Sequence, residues 1–129
     1  MRWLSTRGAA PPASFIDALF SGAAPDGGLY LPERLDPLPP ARVRQLTGFT
    51  AAEIGAVVGA QLLDGDISPE ELSALVSDAL NFPIPLVQVT DRAWALELFH
   101  GPTLAFKDVG ARVQARLLHH FTDGTPLTI

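Results

Sequence analysis

Cysteine is missing from this sequence altogether, and lysine nearly so: Lys107 stands alone against eight arginines. Without cysteine there is no disulfide and no thiolate metal site, and a reducing cytoplasm is the expected setting. No stretch approaches the ~18 consecutive apolar residues of a membrane-spanning helix. The opening MRWLSTRGAAPP carries arginine but no apolar run behind it, so a secretory signal is not expected. Cations are sparse and scattered. Nine Lys plus Arg against 14 Asp plus Glu give a formal charge of −5, which argues against binding nucleic acid by phosphate neutralisation. Hydrophobic residues are plentiful, 47% of 129 positions, enough to build the core of one domain of ordinary length.

Punctuation along the chain divides it. Ser14 precedes Asp17 at capping-box spacing and Gly22 offers a stop, which predicts a short helix over Phe15 to Ser21. Pro25-Asp26-Gly27-Gly28 reads as a turn, and Leu29-Tyr30-Leu31 runs extended into Pro32. A proline-rich connection follows to Pro40, then a short helix over Ala41 to Leu46. Thr50-x-x-Glu53 and Ser68-Pro69-Glu70-Glu71 are capping boxes for two longer helices, the second reaching about Leu80 with Leu72, Leu75, Val76 and Leu80 on one face. Asp64-Gly65-Asp66 between them offers two carboxylates without the rest of a calcium loop, and reads as an inter-helix turn. Beyond Phe82, Leu86 to Val89 and Trp94 to Phe99 predict two strands around a Thr90-Asp91-Arg92 turn. Asp108 to Phe121 predicts a helix with Val109, Val113, Leu117 and Phe121 at helical spacing, capped by Gly124, and Pro126 to Ile129 reads as the opening of a buried strand.

The lone lysine has two readings. A single lysine is most simply a solvated surface charge. Yet every other cation here is arginine, which keeps its proton and so serves neither as a Schiff-base amine nor as a general base, whereas an ε-amine does both. Leu104, Ala105, Phe106 and Val109 would supply apolar surroundings of the kind that depress an amine pKa, with Phe106 expected to pack in the core and shield Lys107. The start of the following helix disfavours a cation and favours an anion. Other polar residues invite plainer roles: Arg7 in a structural ion pair or on a phosphate, His100 in packing or near a cofactor, His119 and His120 as a solvated pair at a helix end, and Asp108 as a cap or first-turn anion.

The segment ELFHGPTLAFKDVGAR, Glu97 to Arg112, resembles the pyridoxal-phosphate attachment segment of the serine/threonine dehydratase-type enzymes, and most closely that of the threonine synthases. STRG at Ser5 to Gly8 and SFIDALFSGAAPDGGLYLP at Ser14 to Pro32 resemble the N-terminus of the same family, in the same order. The resemblance implies an α/β protein: a mainly helical N-terminal domain over residues 1–80, then the first strand and helix elements of a pyridoxal-phosphate fold type II domain over 81–129. It implies that Lys107 is both the cofactor-holding and the catalytic residue, and that no metal is needed. It further implies the conversion of O-phospho-L-homoserine and water to L-threonine and phosphate. Members of the family run to several hundred residues, and their phosphate-cradling glycine-rich loop is expected beyond Ile129. The chain is therefore expected to be an N-terminal fragment, inactive by itself and prone to self-association through unpaired apolar faces. Two further readings remain: a threonine-synthase-like phospholyase, and a truncated domain with a structural or interaction role.

Overall fold

Three helix starts are set by one device repeated. The computed structural model describes residues 1–63 and 65–122. In it Ser14, Thr50 and Ser68 each turn a side-chain oxygen onto the backbone N–H three residues on, and so open α1 (Phe15–Ser21), α3 (Ala51–Leu62) and α4 (Pro69–Ala79). The two longer helices carry complete capping boxes, with Glu53 and Glu71 reaching back to the cap N–H. Pro40 occupies the first turn of α2 (Pro40–Gln45), where its missing N–H leaves no bond unmade. Gly22 ends α1 at φ 68°, a conformation glycine adopts without steric cost.

Before and after α1 lie two short antiparallel strands, β1 (Trp3–Ser5) and β2 (Tyr30–Pro32), with Leu4 opposite Leu31. Farther on, β3 (Leu86–Thr90) and β4 (Ala93–Leu96) form a hairpin around Asp91-Arg92, with an irregular register between Gln88 and Thr90. The second strand closes at Leu96, short of the Phe99 expected, although the Glu97 N–H still bonds the Pro85 carbonyl. The last described helix is α5 (Lys107–Phe121). The expected Gly124 cap and the strand over Pro126 to Ile129 lie outside the described residues, as does Asp64 of the Asp64-Gly65-Asp66 turn.

The core draws on both ends of the sequence. Phe15 of α1, Leu63 after α3, Leu72 and Val76 of α4 and Leu117 of α5 form one buried cluster, with Trp3, Leu19, Val113 and Phe121 packed against it. Two glycines of α3 face α4. A Cβ at Gly55 would meet Val76 Cγ1 at 2.9 Å, and one at Gly59 would meet Leu72 at 3.4 Å. At Gly55 the helices approach because that position carries no side chain, whereas a Cβ at Gly59 would make ordinary contact. Arg112 of α5 binds the chain at the end of α4: its guanidinium donates to the Ala79 carbonyl at 2.7 Å, to the Asp78 carbonyl and to Asn81, and lies over the Phe82 ring. Arg116, one turn later, pairs with the Asp78 carboxylate.

The Pro25–Gly28 turn is more than a reversal. The Asp26 carboxylate accepts from the Ser5 hydroxyl at 2.7 Å and from the backbone N–H groups of Ala9, Ala10 and Gly28. It joins the N-terminal segment to the turn. Gly28 cannot be enlarged there, since its Cβ would fall 2.1 Å from Ser5 Oγ. The Ser5 hydroxyl and the ring of N–H donors hold the Asp26 pKa at about 2, below the ~3.9 of a free aspartate. A depressed carboxylate contributes stability above its unfolded pKa and loses it as pH falls toward its folded one. Glu33, Glu53 and Glu71 are shifted the same way, by Arg2 and by their cap partners. Stability should therefore hold near neutrality and fall between about pH 4 and about pH 2. In urea titrations at stepped pH, Asp26→Asn should be less stable than the parent at neutral pH and show a shallower acid slope. An unchanged slope would remove Asp26 from that role.

Candidate functional site

Between the hairpin and α5 the chain runs through Gly101-Pro102-Thr103-Leu104-Ala105-Phe106, and Lys107 is the first residue of the helix. The expected junction of loop and helix is present. Several hydrogen bonds shape it. Leu104 N–H bonds the Gly101 carbonyl at 3.0 Å, closing a turn. Leu104 itself sits at φ 56°, the left-handed region, unlike every other described non-glycine residue. That placement costs roughly 1–2 kcal/mol for a residue with a Cβ, so the surrounding bonds must hold it.

Asp108 supplies two of those bonds. Only 3% exposed, it accepts the Thr103 N–H at 2.8 Å and the Thr103 hydroxyl at 2.9 Å. Gly101 packs directly on it: a Cβ there would meet the carboxylate oxygen at 2.5 Å. Burial works to raise the Asp108 pKa, but the Thr103 donors, the Ala105 backbone and the Arg112 charge outweigh it and hold the carboxyl below its ordinary range. Asp108 is thus a first-turn anion that reaches back across the loop.

Lys107 is exposed, and among the described residues its amine enters no hydrogen bond or ion pair. The apolar shield expected around it is not assembled. Leu104 and Phe106 are each 74% exposed. No described residue covers these side chains. Phe106 is therefore not buried by the described residues of this segment, contrary to the expectation. His100, 2.7 Å from Glu97, also touches the Phe99 ring, which gives it a side-chain partner and a packing contact rather than a backbone bond. Arg7 forms no ion pair among the described residues; it donates to the Asp26 carbonyl at 2.9 Å. His119 and His120 are exposed in the last turn of α5, as expected. No group of three or more potential metal ligands occurs among the described residues.

Sequence reasoning missed Asp26, Arg112 and the tie between Thr103 and Asp108. The last left one readable trace, a threonine five residues ahead of a first-turn aspartate.

A helical unit that takes the later turns of α5 into its core is similar in fold to a solved pyridoxal-phosphate-bound threonine synthase from Brucella melitensis. That structure superposes on 93% of this chain with a TM-score of 0.87 and 40% identity. Threonine synthase from Escherichia coli superposes on all of it, with a TM-score of 0.93 and 31% identity. Residues 2–80 match the family model described as threonine synthase N terminus. Threonine synthase of Pseudomonas aeruginosa is 38% identical over 125 residues, 93% of this chain, and threonine synthase-like 2 of Rattus norvegicus is 34% identical over 95% of it. The chain belongs to the threonine synthase family and corresponds to its N-terminal portion. It spans about 27% of the length of those two curated relatives.

Proposed function

We propose that this chain supplies the cofactor-bearing lysine of a threonine synthase: Lys107 holds pyridoxal phosphate, in a protein that converts O-phospho-L-homoserine and water to L-threonine and phosphate. The observation that carries the reading is the placement of the chain's one lysine. It is the first residue of α5, behind a strained and clamped loop, with its amine uncommitted. The donor set fits the group, since a free primary amine is what a cofactor aldehyde requires and no competing lysine exists in the chain. Pyridoxal phosphate, when bound, supplies an electron sink. Lys107 then has two tasks, to hold that group and to take and return protons at Cα, Cβ and Cγ of the substrate. The glycine-rich phosphate loop of the family lies outside this segment, so the isolated chain should bind the cofactor weakly and not turn over. On this reading the protein is a cytoplasmic lyase of amino-acid biosynthesis, built as a helical domain over 1–80 followed by the opening of a cofactor domain over 81–129. Reduction with borohydride in a protein of family length, followed by peptide mapping, should place the pyridoxyl label on Lys107. A label on another lysine, with Lys107 unmodified, would refute the assignment.

A phospholyase is the second reading, and the 34% identity to threonine synthase-like 2 does not separate it from the first. The two differ in substrate contacts, which this segment does not carry.

The apolar faces supply an expectation about the chain alone. Leu86, Val89, Trp94 and Leu96 of the hairpin, with Phe99, Leu104 and Phe106, are all more than half exposed. Exposed patches of this kind drive association. Light scattering on the isolated chain should show dimers or larger species that grow with concentration. A dispersed monomer at high concentration would contradict this.

A further inference from the structure

The lysine loop contains a buried carboxylate that the reaction described above does not use. Its surroundings show what it is for. Both Asp108 oxygens are directed to Thr103, four residues before the lysine. Gly101 is pressed so closely against it that no side chain fits between them. Within the span that this clamp closes lies Leu104, held at φ 56° with its side chain 74% exposed and so with no packing of its own to keep it there. The left-handed turn is therefore held by the Leu104-to-Gly101 backbone bond and by the Asp108 carboxylate. Asp108 also belongs to the first turn of α5, and that helix is anchored in the core through Leu117 and through Arg112 on the Ala79 carbonyl. A rigid path thus runs from the core, along α5, through the Asp108 carboxylate and into the loop.

We infer that Asp108 is a positioning residue for Lys107: its carboxylate, through the Thr103 hydroxyl and N–H, locks the Gly101–Phe106 loop and so sets where the lysine amine stands at the start of α5. This rests on the reading of Lys107 as the cofactor-bearing residue. Asp108 does not itself touch the reacting atoms. Buried anions are costly unless their oxygens are fully bonded, and here that bonding is directed entirely into the loop that aims the lysine.

The test uses the whole chain and two readouts. The first is hydrogen exchange of the Thr103 amide. The second is borohydride trapping of pyridoxal phosphate on Lys107, measured by mass spectrometry relative to the Met1 amine, the other primary amine in the same molecule. Asp108→Ala should speed exchange at Thr103 by about tenfold or more, the loss of a hydrogen bond to a charged acceptor. Amides in α3 and α4 should stay unchanged, and the Lys107-to-Met1 label ratio should move outside replicate error. Thr103→Ser, which keeps both donors, should behave like the parent in both readouts. Should Asp108→Ala fail to fold, Thr103→Val removes the hydroxyl bond alone and should move both readouts in the same direction by less. Unchanged Thr103 exchange, or a label ratio indifferent to Asp108 and Thr103, overturns the positioning role while leaving the lysine assignment standing. A protein of family length in which borohydride fixes the label on another lysine and not on Lys107 removes the lysine assignment, and the positioning role with it.

Discussion

Replacing Lys107 with alanine should leave the fold intact and abolish turnover in a protein of family length. The two halves of that expectation have separate causes. Lys107 is exposed at a helix start and has no partner among the described residues. Among the described residues its removal opens no cavity and strands no buried group, so the stability of this chain should change by no more than about 0.5 kcal/mol. Chemistry is another matter. Loss of a positioned proton-transfer group alone costs about 10²–10⁴ in rate, and the same substitution also removes the covalent hold on the cofactor. Lys107→Arg should do no better, because a guanidinium stays protonated and cannot add to an aldehyde. The check is a pair of measurements on each variant, a urea unfolding curve and phosphate release from O-phospho-L-homoserine. A variant that folds normally and keeps more than a tenth of parental turnover would disprove the role.

Leu72→Ala should be the most damaging single truncation among those considered for the chain. Leu72 is 2% exposed and belongs to the central cluster with Phe15, Leu63, Val76 and Leu117. It lies against Gly59 of α3, one turn from the close approach of Gly55 to Val76. The vacated space cannot be refilled by a simple helix shift, because α4 is also held at its end by Arg112. Leucine-to-alanine changes in such sites cost about 2–5 kcal/mol, a large part of the ~5–15 kcal/mol by which a domain is stable. Leu86→Ala in the hairpin is the matching control. Its side chain is 60% exposed, and its loss should fall within about 0.5 kcal/mol. Denaturant midpoints of the two variants should differ widely. Equal losses would mean that the core is not where the buried cluster places it.

What was legible in the residues was local. A capping serine or threonine acts on an N–H three residues away, so Ser14, Thr50 and Ser68 announced α1, α3 and α4 within a residue or two. Gly22 did the same for a helix end, and the break at Gly101-Pro102 for the loop ahead of α5. The role proposed for Lys107 is local in the same way, because it rests on contrast with eight arginines and on a short contiguous motif. None of these inferences needs a partner from a distant part of the chain.

The rest depended on residues that are neighbours only after folding. Gly55 and Gly59 read as mild helix weaknesses until Val76 and Leu72 arrive opposite them. Asp26 reads as a turn residue until Ser5, Ala9 and Ala10 bring their donors to it. Arg112 looks like a surface cation until the end of α4 offers carbonyls with no helical partner. Phe106 is the opposite case: hydrophobicity predicts burial, but no described residue of this segment covers its side chain. Sequence alone therefore determined most of the elements and their starts, though not β1, and singled out the lysine proposed to hold the cofactor, because those depend on spacing along one segment. Only the tertiary structure decided which helices touch, which carboxylates are held and how the lysine loop is locked, because contacts between residues tens of positions apart follow from packing and leave no periodic trace in the chain.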